Sequence, residues 1–252
     1  MKDSKEYPKF NIEKIDDEPW ITIPNHEDLK DWKHEDRIRY NQRNRQNEKS
    51  YFFQQVFDFL TDNRIEGDYF EFGCHRCRTF RMVLSEARKH NIDYMNFHAF
   101  DSFEGLPDRD EVDDSIDMWQ KGVLATNEDE FLDLLKTHGL YLEKIKTIKG
   151  YYENSLNEQL KKEYLLKKQF ASLITVDCDW YKSAIPVFDF IEELLIEGTV
   201  IYLDDMFAGY KGQRSKGVAK AFYEYEKSSK WSFEKYLDIG WFGRAYIVQK
   251  KI

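Results

Sequence analysis

From Tyr51 onward the chain sets apolar side chains at helical spacing: Phe52, Phe53, Val56, Phe57, Phe59 and Leu60 form one stripe that stops at the break from Asn63 to Gly67. The spacing predicts a helix that feeds the core. Asp68 to Gly73 then reads as a short aromatic strand closed by glycine, followed by a helix carrying Phe80, Met82, Val83, Leu84 and Ala87. The alternation repeats, with strands predicted over 96–101, 145–149, 171–177 and 199–203 and helices over 128–138, 156–168, 184–196 and 216–227. Pro186 falls in the first turn of the third of these helices, where it is tolerated, and Gly198 stops it. Two β-rich runs, 231–237 and 244–249, are separated by Asp238, Gly240 and Gly243 and end the chain as a hairpin.

Five strand and helix alternations predict an α/β fold with a doubly wound, mostly parallel sheet, because each crossover helix must cover a sheet face. The closing hairpin brings the sheet to seven strands with an antiparallel C-terminal edge. Residues 1–48 are polar and charged, broken by Pro8, Pro19 and Pro24 and without a sustained apolar period, and read as an amino-terminal arm or lid ahead of a domain over 49–252. Open sheets of this kind bind ligands beyond the carboxyl ends of their strands, so the chemistry is expected just after each strand.

Composition narrows the partners. Lys and Arg total 38 against 47 Asp and Glu, a net charge of −9, which lacks the basic excess that nucleic acid demands. Hydrophobic residues at 41% and aromatic residues at 16% allow a sizeable core and exclude a disordered chain. No apolar stretch approaches a membrane span and the first residues lack a signal-peptide core, so the expectation is a cytoplasmic protein without a membrane partner. Cys74, Cys77 and Cys178 are too few for a disulfide framework and read as reduced thiols.

At the strand ends, Glu71 and Gly73 precede a helix whose amides and dipole favour an anionic or polar ligand. A dinucleotide fingerprint fails there, because His75 and Arg78 stand where its second and third glycines belong. Asp101, followed by Ser102, can accept hydrogen bonds from the ribose of a nucleoside; alternatively it caps a turn. Asp177 and Asp179 after one strand and Asp204 and Asp205 after the next bring four carboxylates to one rim, where like charges repel unless a hard divalent cation such as Mg²⁺ joins them. Solvated loop carboxylates are the plainer alternative. Arg37, Arg39, Arg43 and Arg45 read as a charged helix face or a phosphate contact, and Asp108 to Asp114 as a solvated loop or a lid closing with Trp119. Neither a nucleophile elbow nor a histidine zinc motif is present, and His98 reads as core.

The segments YFEFGCHRCRTF, FHAFDSFEGLP, IKGYYENSL, VDCDWYKS and VIYLDDMFAGYKGQRSKGVAKAF, in that order, resemble the macrocin O-methyltransferase (TylF-type) family over about residues 46–250. The resemblance implies a class I methyltransferase, Rossmann-like fold, S-adenosylmethionine as donor, Mg²⁺ or a similar ion as cofactor, and a sugar hydroxyl as acceptor. It maps the metal onto Asp177, Asp204 and Asp205 and the donor onto Glu71, Gly73, Asp101 and Ser102, with Gly150 and Tyr151 near the adenine. Cys77 and Arg78 depart from the small residues usual in that family's turn. Asp177 or Asp179 is then the proton acceptor, ahead of His75 and His138. The acceptor is expected to be a nucleotide-linked or surface-polysaccharide sugar. A nucleoside-binding protein without catalysis and a catechol-type phenol O-methyltransferase are the competing readings, and self-association into a homo-oligomer is left open.

Overall fold

A computed structural model describes residues 23–109, 112–114 and 120–251. The chain divides after Asn44 into two units. In the first, α1 (His26–Leu29) begins at Asn25, whose side chain accepts from the Glu27 and Asp28 amides while Asp28 returns a bond to the Asn25 amide. The second unit, from Arg45, carries the sheet.

Helix α2 spans His34–Asp62, so it starts 18 residues ahead of Phe52, the first residue of the apolar stripe that predicts it. Its first turns lack an apolar face, and a charged helix without one escapes a reading based on hydrophobic period. Strand β1 (Asp68–Phe72), α3 (Arg78–Lys89), β2 (Phe97–Asp101), α4 (Glu128–His138) and β3 (Ile145–Lys149) follow the expected alternation. The next crossover is broken into α5 (Tyr152–Ser155) and α6 (Glu158–Leu166), because the Asn157 side chain caps a new helix by accepting from the Leu160 amide. After β4 (Ala171–Val176) comes α7 (Tyr181–Ile191), which begins earlier than predicted and puts Pro186 beyond its first turn. Strand β5 (Leu195–Leu203) likewise begins before Gly198; the residues between Leu195 and Val200 bulge out of register against β4, and the Thr199 hydroxyl closes the bulge onto the Ala171 and Ile196 carbonyls. Helix α8 (Gly217–Ser228) and the hairpin β6 (Trp231–Ile239) and β7 (Gly243–Lys250) complete the chain.

The sheet has the strand order β3-β2-β1-β4-β5-β7-β6, parallel from β3 to β5 and antiparallel at β5–β7 and β7–β6. This is the expected seven-stranded α/β sheet with its antiparallel edge. Strand alternation deals β1 to both faces: Tyr69 joins the cluster built by Phe53, Val56 and Phe57 of α2 with Phe80, Val83 and Leu84 of α3. Phe70 and Phe72 join the cluster of Phe188 and Phe190 of α7 with Phe222 of α8. Each buried Phe contributes roughly 1.5–3 kcal/mol. His98 is core as expected, its Nε2 on Asp68 and its Nδ1 on the Tyr164 hydroxyl at 3.0 and 2.8 Å. No helix among the described residues is long and apolar enough to cross a membrane.

Chain order reverses between β1 and β4, so the two crossovers leave a cleft at their carboxyl ends. Gly73 stands there at φ +93, with the Asp177 carbonyl only 1.8 Å from where a Cβ would be. Gly73→Ala must therefore push the β1 and β4 tips apart as well as adopt an unfavourable φ. We expect it to lower stability by at least about 2 kcal/mol, read from urea unfolding monitored by circular dichroism.

Candidate active site

The same period of two that builds the core also builds a polar row on the α2 face. Tyr69, Glu71, Thr175, Asp177, Tyr202 and Asp204 occupy alternate positions on β1, β4 and β5 or one residue past them. The Tyr69 hydroxyl bonds both Glu71 and Thr175, and the Tyr202 hydroxyl bonds Asp204. The Asp177 amide donates to the Phe72 carbonyl and the Asp204 amide to the Val176 carbonyl, which ties the three strand tips together. Asp177, Asp204 and Asp205 each present an oxygen within 4.8 Å of the others'.

Two cations of α2 meet this row. Lys49 Nζ lies 3.1 Å from Asp177 Oδ2 and 2.8 Å from Asp204 Oδ1, and Arg45 Nη2 lies 3.0 Å from Asp204 Oδ2. Residues 45 and 49 are one turn apart, so both project from one side of the helix. No sequence motif marks Lys49, although it sits at helical spacing from Phe53, Val56 and Leu60: a lysine on an apolar stripe is the signal. Arg45, from the predicted arginine cluster, reaches the strand tips.

Electrostatics sort the carboxylates. Burial alone would raise Asp204, but Lys49 and Arg45 outweigh it and hold the group below its ordinary range. Burial and the neighbouring Asp204 push Asp177 up to about 6, with Lys49 opposing. Asp179 is raised to about 7 by burial and then by Asp177 and Asp204. Asp205 is raised well above its usual value by burial and by Asp179, and its Oδ2 is buried without a hydrogen-bond partner. Lys49 stays charged, since Asp177 and Asp204 overcome the burial that opposes it. Asp179 has φ +60, the left-handed region that aspartate tolerates, in the turn before α7.

On the other side of the cleft Asp101 accepts from the Cys74 amide at 2.6 Å and the Phe103 amide at 2.7 Å. It therefore caps the turn; Oδ1 also lies 3.5 Å from the Ser102 hydroxyl, and Oδ2 keeps a lone pair for a ligand. Burial raises it, and those amides oppose the shift. The Ser102 hydroxyl is taken up in its own loop, donating to the Gly105 carbonyl and accepting from the Glu104 amide. Gly150 donates its amide to the Asp101 carbonyl at the tip of β3, and Tyr151 follows it. Glu71 is raised to about 8 by burial, with the Tyr69 hydroxyl opposing.

Neither histidine joins the carboxylates. His75 Nδ1 pairs with Thr126 Oγ1, and His138 Nε2 pairs with Ser85 Oγ in the last turn of α4, which leads to the start of β3 rather than its end. Cys74, Cys77 and Cys178 are buried free thiols. Arg76 and Cys77 both adopt positive φ, 54 and 56, which explains why glycine suits this turn. The acidic loop is more than a solvated stretch: Asp113 pairs with Lys220, and the buried Asp114 accepts from the Tyr181 and Lys182 amides at the start of α7. Asp110, Glu111 and Trp119 lie outside the described residues.

A sheet of this order with acidic groups at its switch point defines a class I methyltransferase fold. The chain matches the model of the macrocin O-methyltransferase (TylF) family over residues 27–243; it belongs to that family and is a methyltransferase enzyme. No curated protein sequence matches it. Among solved structures, the O-methyltransferase NovP shares the fold at 18% identity and TM-score 0.65, covering 81% of this chain and 80% of its own. The calicheamicin methyltransferase CalS11 does so at 15% identity and TM-score 0.64, over 90% and 86% of the two chains. A second CalS11 structure, described as a TDP-rhamnose 3′-O-methyltransferase, aligns at TM-score 0.55 and 13% identity, over 90% of this chain and 88% of its own.

Carboxyl groups whose pKa is higher folded than unfolded keep protons that the unfolded chain releases, so stability falls as pH rises between the two values. Asp177, Asp179 and Glu71 set that window from about pH 4 to about 8. Chelator-treated protein is expected to melt at progressively lower temperature from pH 5 to pH 8, and Asp179→Asn to flatten the slope. Calorimetry at constant ionic strength checks this; a flat profile across the window would show solvated, unperturbed carboxylates.

Proposed function

We propose that this enzyme is an S-adenosylmethionine-dependent, divalent-metal-dependent O-methyltransferase acting on a sugar hydroxyl. Its acceptor is a nucleotide-linked or polymer-bound sugar, and it works in the cytoplasm in surface-polysaccharide or natural-product assembly. The observation that carries the metal reading is the orphaned, buried Asp205 Oδ2 beside Asp177 and Asp204. Charge agrees with it. In the metal-free cluster, Asp177, Asp179, Asp204 and Asp205 when ionised give −4 against +2 from Lys49 and Arg45, a deficit that favours a cation. Oxygen-only donors favour Mg²⁺ or a similar hard ion. The family and the sugar nucleotide named for CalS11 support the acceptor class.

Asp177, Asp204 and Asp205 would hold the ion, which when bound supplies Lewis acidity toward an acceptor hydroxyl. Asp101 offers the remaining lone pair of its Oδ2 to the ribose hydroxyls of the donor, and Gly73 lets the donor approach the β1 backbone. Gly150 and Tyr151 are assigned to the adenine side, while Glu71 acts through the strand tip. Ser102 shapes the loop that presents Asp101. Asp179 takes the hydroxyl proton: held near 7, about half of it is carboxylate at neutral pH, and that carboxylate is basic enough to accept. Asp177 is its nearest alternative. Methyl transfer then needs only in-line placement of the acceptor oxygen, and positioning of that kind supplies much of the rate.

The test is methyl transfer from labelled S-adenosylmethionine to a panel of nucleotide sugars, glycosides and phenols, with Mg²⁺ or with chelator. Sugar-selective, chelator-sensitive transfer is expected. Transfer to phenols alone, or donor binding without turnover on any acceptor, would replace the reading with its catechol-type or non-catalytic competitor. Asp205→Asn should abolish turnover while donor affinity by calorimetry stays within about threefold, and Asp179→Asn should lower kcat by roughly 10²–10⁴. Asp101→Ala should weaken donor binding at least about tenfold, the loss of one or two charge-assisted hydrogen bonds, while metal binding is unchanged.

A further inference from the structure

Asp204 is over-supplied with donors. Its Oδ1 accepts from the Tyr202 hydroxyl and from Lys49, which uses both lone pairs of that oxygen, and its Oδ2 accepts from Arg45. A family metal ligand is thus already in the grip of two cations. The two differ in how firmly they are held. The Lys49 side chain is 6% exposed and bridges Asp177 to Asp204, so moving it would strand a buried ammonium. The Arg45 side chain is 25% exposed and makes its ion pair from the mouth of the cluster. Its guanidinium also lies 4.3 Å from the Phe242 ring centroid and 5.8 Å from that of Trp241, at the β6–β7 turn. Those rings give it a place to rest when it lets go of the carboxylate.

Resting on the metal reading above, we infer that Arg45 is a tethered, displaceable cation. It closes the carboxylate cluster before loading and exchanges with the divalent ion at Asp204 Oδ2, while Lys49 stays as a permanent counter-ion and strut. Oδ2 is the only Asp204 oxygen with a lone pair left, so the incoming ion and the guanidinium compete for one atom. Two cations on one oxygen repel, and Arg45, outermost and supported by two rings, is the one that leaves. Arg45 therefore lowers the affinity of the site and keeps the buried carboxylates compensated until an ion arrives.

The test measures Mn²⁺ binding to full-length, chelator-treated protein from the free-ion electron paramagnetic resonance signal. Arg45→Gln is expected to bind Mn²⁺ at least about fivefold tighter than wild type, whereas Arg43→Gln, which removes the same charge from an exposed neighbour, stays within about twofold. Equal or weaker binding by Arg45→Gln overturns the inference while leaving the metal reading standing. Absence of Mn²⁺ binding in both proteins overturns both. Tighter binding without methyl transfer to any sugar sustains the inference and sinks the acceptor reading alone. In the wild-type protein, titration with Mg²⁺ should shift the ¹⁵N signal of the Arg45 side chain and leave the Lys49 ammonium signal in place; an unmoved Arg45 signal at saturating Mg²⁺ also overturns the exchange.

Discussion

Four carboxylates crowd the tips of two neighbouring strands, and the protein keeps them together only by answering their repulsion from outside the sheet. Lys49 and Arg45 supply that answer from α2. Leaving one buried charge uncompensated costs about 3–5 kcal/mol, a large share of the roughly 5–15 kcal/mol by which a domain of this kind is stable. The apolar face of α2, with Phe52, Phe53, Val56, Phe57 and Leu60 buried, is what fixes the height of Lys49 above β4 and β5. Packing and electrostatics are one arrangement here, because the helix that closes the core is the helix that carries the counter-ions.

The arrangement leaves a deliberate deficit. Asp204 is satisfied and held ionised, but Asp205 has a buried oxygen without a partner, and Asp179 and Asp205 are held above the ordinary carboxylate range. A fully compensated cluster would be more stable and chemically inert. A cluster short of two positive charges is strained toward protons or a divalent ion. The fold tolerates this at the switch point, where the crossovers that follow β1 and β4 diverge and leave a cleft.

Much of this was legible in the residues. Asp101, Asp177, Asp179, Asp204 and Asp205 were each identified because they follow directly on apolar strand runs, and strand ends are where a doubly wound sheet gathers its chemistry. Gly73 was legible for a related reason, as a glycine at a strand exit. The counter-ions were not. Arg45 reads as part of a charged helix face, and Lys49 as one lysine among many, because their partners lie more than 120 residues away. Asp114 likewise reads as part of a solvated loop or a lid, since nothing local says that it caps a helix 67 residues later.

Sequence alone determined the alternation of elements, the seven-stranded α/β sheet and the rim on which the acidic groups gather, because periodicity and turn residues act over a few positions. Tertiary structure decided how far α2 extends, where β5 bulges, and which cations stand over the carboxylates. Those outcomes depend on burial and on charges brought together across the fold, and a Coulombic partner at 3 Å leaves no trace in the spacing of residues along the chain.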